Sequence, residues 1–123
     1  MDRIGGILMK ITIIINDAPY GSERPYNGLR YATALMKSDV AVNVFLMADS
    51  VTCGLKDQRT PDGYYNIGKM LMLLLNQDVP VHACGTCMDA RGLTQDVMVE
   101  GIVKSTMQNL VDWTKGSDKV VTF

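Results

Sequence analysis

Two cysteines three residues apart, Cys84 and Cys87, follow the apolar run Val79-Pro80-Val81-His82-Ala83 and precede Arg91-Gly92. A cysteine attacks as its thiolate, and a thiolate is favoured by free N–H groups at the start of a helical turn and by a nearby fixed cation. Val79, Val81 and Ala83 predict a short buried strand that stops at Cys84. Gly85 lets the backbone turn sharply, and the residues from Thr86 onward predict a helical turn whose N–H groups face the thiol. Arg91, a turn or two further on, supplies the cation. The pattern predicts a reactive thiol at Cys84.

The Cys-x-x-Cys spacing suits either a dithiol that closes to a disulfide or half of a zinc site. A tetrahedral site needs four ligands, and no second pair exists, so His82 and Cys53 would have to complete it. His82 shares a strand face with Cys84, yet a lone histidine in an apolar strand is more often a satisfied structural residue. A thioredoxin-like reading is not favoured by Gly-Thr between the cysteines or by the absence of a nearby tryptophan. Three cysteines, an odd number, argue against a disulfide framework. That all three only pack stays open.

The remaining elements must carry this stretch to a sheet edge. Lys10 to Asn16 is a nearly continuous β-branched run, the pattern of a central strand covered on both faces. The polar loop Asp17 to Pro25 leads into a helix with the stripe Leu29, Ala32, Thr33 and Met36. Glu23 and Arg24, in that loop, either reach the same edge as Cys84 or stand as solvated charges at the helix entry. Val40 to Met47 predicts the second strand, and Cys53 follows it, lining the pocket or buried as a small hydrophobe. A helix starting near Thr60-Pro61-Asp62 is expected over Tyr64 to Asn76, with a stripe of Ile67, Met70, Leu71 and Leu74 that Leu73 and Leu75 widen, so that it meets either the sheet and a partner subunit or only the interior of a monomer. Gly101 to Lys104 predicts a short strand. Ser105-Thr106-Met107-Gln108 matches a capping box, Gly116 a left-handed stop, and Lys119 to Phe123 a last strand. Alternating strands and helices predict an α/β protein, a three-layer α/β/α sandwich on a mainly parallel sheet of about five strands.

At 123 residues and 47% apolar content the chain builds one domain with a real core. A net charge of −1 without a lysine and arginine cluster indicates neither nucleic acid nor an anionic membrane surface as a direct partner. The longest apolar run, Met70 to Leu75, is far short of the ~20 residues that span a bilayer. Met1 to Leu8 lacks a signal-peptide core, so residues 1–8 read as a flexible extension, 9–123 as the domain, and the location as cytoplasmic.

Three stretches carry a resemblance. Asn16-Asp17-Ala18-Pro19-Tyr20-Gly21-Ser22-Glu23-Arg24 with Asn27-Gly28-Leu29-Arg30, then Met47-Ala48-Asp49-Ser50-Val51, then Ala83-Cys84-Gly85-Thr86-Cys87-Met88-Asp89-Ala90-Arg91-Gly92-Leu93, resemble the DsrE/DsrF-like family of sulfur-relay proteins. The likeness is strongest to its small stand-alone members with a Cys-Gly-Thr-Cys motif and runs from about Met9 to Phe123. It implies the same α/β fold, passage of persulfide sulfur between cysteines, assembly into homo-oligomers such as trimers or hexamers, and sulfur donor and acceptor proteins as partners. It implies no cofactor and no metal. The family's acceptor cysteine follows the third strand and precedes an Arg-Gly pair, which falls on Cys84 with Arg91 and Gly92. Cys87 is an addition relative to the relay members, either taking the sulfur or resolving the persulfide to a disulfide. The resemblance thus implies a cytosolic sulfur carrier or sulfurtransferase with Cys84, Cys87 and Arg91 as its chemistry, and Cys53, Glu23, Arg24, Gly85 and Gly92 around them. The alternatives are a non-catalytic oligomeric binding module with structural or zinc-binding cysteines, and a dithiol oxidoreductase.

Overall fold

The computed structural model describes residues 8–123, so all of the expected N-terminal extension except Leu8 lies outside the described residues. Its β-branched and apolar runs form five parallel strands: β1 (Lys10–Ile15), β2 (Ala41–Leu46), β3 (Val81–Cys84), β4 (Val103–Ser105) and β5 (Lys119–Thr122). Four α-helices connect them, α1 (Arg24–Lys37), α2 (Ile67–Asn76), α3 (Gly85–Ala90) and α4 (Met107–Gly116). The tighter 3-10 helix Ala48–Gly54 follows β2 directly. The sheet order is β4-β3-β2-β1-β5.

The period of two along each strand decides which layer each side chain joins. Ile11, Ile13 and Ile15 lie opposite Val42, Val44 and Leu46 in register, and this buried face receives α1 and α2, which also pack on each other. Gly28 of α1 permits that approach: a Cβ there would stand 3.0 Å from the Ile15 Cδ1 and 3.3 Å from the Phe123 ring. The opposite face carries Thr12, Phe45 and His82, and α4 covers it by setting the Trp113 ring edge-on to Phe45 and 4.3 Å from His82. The result is the expected three-layer sandwich, with a sheet that is wholly rather than mainly parallel.

This order creates a crevice. Each step from β1 to β4 moves one strand in the same direction, and right-handed crossovers keep those connections on one face. The step from β4 back to β5 reverses direction, so the chain leaves β4 toward the opposite face. The loops after β3 and β4 diverge, and a ligand site is expected in the gap between their carboxyl ends. Cys84 and Ser105, the last residues of these strands, are register partners there.

β4 begins at Val103 rather than at the expected Gly101, which takes φ +100, and three helix limits also differ from the sequence expectation. Helix α2 begins at Ile67 rather than near Pro61, because a turn closes from Tyr64 N–H to the Pro61 carbonyl and Gly63 takes φ +87. Asn66 is its cap, accepting the Lys69 N–H. Ser105 belongs to β4, where its hydroxyl is engaged by His82, so the cap of α4 falls to Thr106, which accepts the Asn109 N–H at 3.1 Å. Gly116 is not left-handed; α4 runs through it, and the extended Ser117 caps the helix with its hydroxyl on the Trp113 carbonyl. Among the described residues, no helix is long and apolar enough to cross a membrane.

Candidate functional site

β3 ends where the backbone of Cys84 leaves the strand, and α3 starts at the next residue. Gly85 makes this abrupt change possible beside β4, since a Cβ there would lie 2.7 Å from the Ser105 carbonyl oxygen. Cys84 becomes the cap of α3, its sulfur accepting the Cys87 N–H at 3.4 Å and lying 3.3 Å from the Thr86 hydroxyl. Cys84 is 5% exposed. Burial pushes its thiol up, but the S–H of Cys87, the hydroxyl of Thr86 and the N–H groups of both residues outweigh burial, and the net displacement is downward.

Cys87, half-buried one turn along α3, is displaced the other way. Burial and the donation of its proton to Cys84 push it up, more than the Ala48 N–H and the Arg91 charge offset. Its sulfur accepts the Ala48 N–H at 3.3 Å and lies 3.9 Å from the Met47 sulfur. Ala48 is held at φ +52, a left-handed conformation unfavourable for a residue with a Cβ. The two thiols are thus unequal: Cys84 is the more readily ionised nucleophile, and Cys87 the less acidic of the pair.

Arg91 ends α3 over this pair. Its Nη1 donates to the Cys87 carbonyl at 2.9 Å and its Nη2 to Asp49 Oδ1 at 2.6 Å. Gly92, at φ +68, provides the left-handed stop: its N–H bonds the Asp89 carbonyl and the following Leu93 N–H bonds the Met88 carbonyl. A second ion pair, Lys104 to Asp89 at 2.6 Å, ties α3 to β4. The short helix is therefore pinned on both flanks, to Ala48–Gly54 through Arg91 and to β4 through Lys104.

The other sequence candidates lie elsewhere. Cys53 is fully buried in the 3-10 helix, 3.4 Å from the Ser50 hydroxyl, and burial pushes its thiol up to about 11. Glu23 and Arg24 are exposed at the start of α1, beyond β1, and neither hydrogen-bonds Cys84 or Cys87. Two strand spacings, roughly 10 Å, separate β1 from β3. His82 turns its Nδ1 to Ser105 Oγ at 3.0 Å and to Asn109 Nδ2 at 3.1 Å, and burial lowers its pKa. Among the described residues, no group of three or more His, Cys, Asp or Glu side chains is arranged to hold a metal ion. Thr86, Ala48 and Asp49 join the site without having been assigned a role from sequence. Thr86 was legible as the hydroxyl between the cysteines, whereas nothing in an alanine signals a left-handed backbone.

Comparison with known proteins agrees with this architecture. The chain is 45% identical over 118 residues to protein YchN of Escherichia coli K12, covering 94% of this chain and all of that protein. The crystal structure of the E. coli ychN protein superposes with a TM-score of 0.88, again over 94% of this chain and 100% of the other. A sulfurtransferase TusD homolog of Vibrio vulnificus is 26% identical, with 94% and 98% of the two chains aligned. The model of the DsrE/DsrF-like family matches residues 9–123, all five strands and the cysteine pair included. The fold is thus shared with relatives along nearly the whole chain, and the protein belongs to the DsrE/DsrF-like family.

Proposed function

We propose that the protein is a cytoplasmic sulfur carrier that accepts persulfide sulfur on Cys84 and passes it to an acceptor thiol. The observation that carries this reading is the pair of donors converging on Cys84: Thr86 Oγ1 at 3.3 Å and the Cys87 N–H at 3.4 Å. They favour a thiolate at a sheet edge, in the crevice where a substrate is expected. The kinship with a protein named as a sulfurtransferase homolog supports the same chemistry.

In the uptake step the Cys84 thiolate attacks the terminal sulfur of a donor persulfide. The new bond is Cys84 Sγ to that sulfur, the donor's S–S bond breaks, and the donor leaves as its thiolate. In delivery an acceptor thiolate attacks the carried sulfur and the cysteine that held it departs as its thiolate, so no external oxidant is needed. Arg91 adds positive charge beside Cys87, where Asp49 anchors its guanidinium.

A homo-oligomer is part of the proposal. Met72 and Leu73 on α2 and Met107 and Val111 on α4 are 42–59% exposed, which leaves apolar surface on both outer layers. Light scattering of the purified chain tests that part. For the chemistry, the experiment is intact mass after incubation with polysulfide, or with a cysteine desulfurase and cysteine, in wild type, Cys84→Ser and Cys87→Ser. A reducible gain of one sulfur that disappears when Cys84 is replaced is expected; no gain in any reduced form overturns the carrier reading. The dithiol oxidoreductase is the second reading, favoured by the placing of both cysteines in the first turn of α3 with the Cys87 N–H on the Cys84 sulfur, and it predicts a Cys84–Cys87 disulfide that exchanges with substrate dithiols.

A further inference from the structure

Cys84 is well placed to receive sulfur and badly placed to deliver it. Cys84 is only 5% exposed, whereas Cys87 is partly exposed on the next turn, so an acceptor thiol meets Cys87 before Cys84. We infer that the sulfur taken up on Cys84 moves to Cys87 before it leaves the protein, so that the two cysteines are successive stations and Cys87 is the exit. The inference rests on the carrier reading above and adds direction to it.

The step balances within the chain. The Cys87 thiolate attacks the outer sulfur of Cys84-S-SH, a Cys87 Sγ–S bond forms, the Cys84 Sγ–S bond breaks, and the electron pair remains on Cys84 as its thiolate. The proton that Cys87 gives up passes to water. Transfer is faster when the leaving thiol is the more acidic, and Cys84 is the better leaving group of the pair because Thr86 Oγ1 and the Cys87 N–H already surround its sulfur. Attack on the inner sulfur instead would expel hydrosulfide and leave a disulfide.

The surroundings of Cys87 fit an arrival point. The Ala48 N–H reaches its sulfur at 3.3 Å, from a backbone held left-handed at φ +52, and the Arg91 guanidinium is anchored across the same turn by Asp49. Both favour negative charge at Cys87. Met47 Sδ at 3.9 Å completes a soft, polarisable wall.

The test uses the full reduced chain and inorganic polysulfide as the probe. Brief loading, removal of excess, alkylation and peptide fragmentation locate the extra sulfur on Cys84 or Cys87, and release of the sulfur to glutathione is timed in parallel. The expected result is a several-fold excess on Cys87 in wild type, retention on Cys84 in Cys87→Ser and Cys87→Ala, and several-fold slower release from both variants. Sulfur that stays on Cys84 in wild type, with release unchanged by either variant, overturns the inference and leaves the carrier reading standing. Prompt sulfide release with a Cys84–Cys87 disulfide also overturns it. Absence of loading in every form overturns the carrier reading, and the inference with it.

Discussion

Replacing Gly92 with alanine tests whether the stop of α3 is held by backbone conformation alone. Gly92 lies at φ +68, and nothing stands within 4 Å of where a Cβ would project, so the substitution creates no clash and adds only the strain of a left-handed L-residue. That strain costs about 1–2 kcal/mol. At about 2.1 cal/mol/K per residue, the 123-residue chain unfolds with an entropy of about 0.26 kcal/mol/K, so Tm should fall by about 4–8 °C. Asparagine, which tolerates this conformation, should recover part of the loss. Gly116 is the control, because it too has open space around it but lies in α4 without a positive φ. Gly116→Ala should gain about 0.5–1 kcal/mol of helix preference, or about 2–4 °C. Thermal unfolding followed by circular dichroism measures all three variants. A Gly92→Ala protein as stable as wild type, beside a stabilised Gly116→Ala, would refute the reasoning.

Three further outcomes are expected. Thiol titration of the folded protein near pH 8 should count Cys84 and Cys87 only, with Cys53 reacting after denaturant is added; fast reaction of all three in the native state contradicts its burial. Thr86→Val removes a hydroxyl donor from Cys84, so the iodoacetamide rate at Cys84 should drop several-fold at pH 7 and its pH midpoint should rise; an unchanged profile rules out the Thr86 contribution. His82 has a lowered pKa when folded, so the unfolded chain binds the proton more readily. Its contribution to stability is complete above about pH 6.5 and is lost as pH falls through the lower folded value. The urea midpoint of wild type should therefore drop more between pH 7.5 and 5 than that of His82→Gln, and equal drops would remove His82 as the cause.

The core strands were legible because their side chains must be buried on two faces. Lys10–Ile15 and Ala41–Leu46 alternate between two apolar layers, which leaves a run of β-branched and apolar residues with no other stable use. Cys84 was legible for a related reason: an apolar strand that ends in Cys-Gly can only deliver the thiol to an edge. Helix limits were less so. Ser105 and Thr106 are both good caps, and the choice between them is made by His82, 23 residues away, which takes the Ser105 hydroxyl. The partners of Cys87 were hidden in the same way, since Ala48 and Asp49 come from the loop after β2 and their approach depends on sheet order. The placement of Glu23 and Arg24 also turned on that order, which puts β2 between their strand and Cys84.

The pairing of β5 with β1 bears on how the chain folds as it is made. Lys119, Val120, Val121 and Thr122 lie beside Ile11, Thr12, Ile13 and Ile14, and Asn16 bonds the Phe123 carbonyl, so contacts more than 100 residues apart close one side of the sheet. A ribosome releases β1 first, and its hydrogen-bonding edge toward β5 has no native neighbour until residue 122 has emerged. At about 5–20 residues per second, that interval lasts on the order of 5–20 s. During it an apolar β-branched strand is exposed on one edge, the condition under which nascent chains pair wrongly with one another. The sheet therefore stands without its fifth strand until that interval has passed, and the β1 edge is open to mispairing for as long.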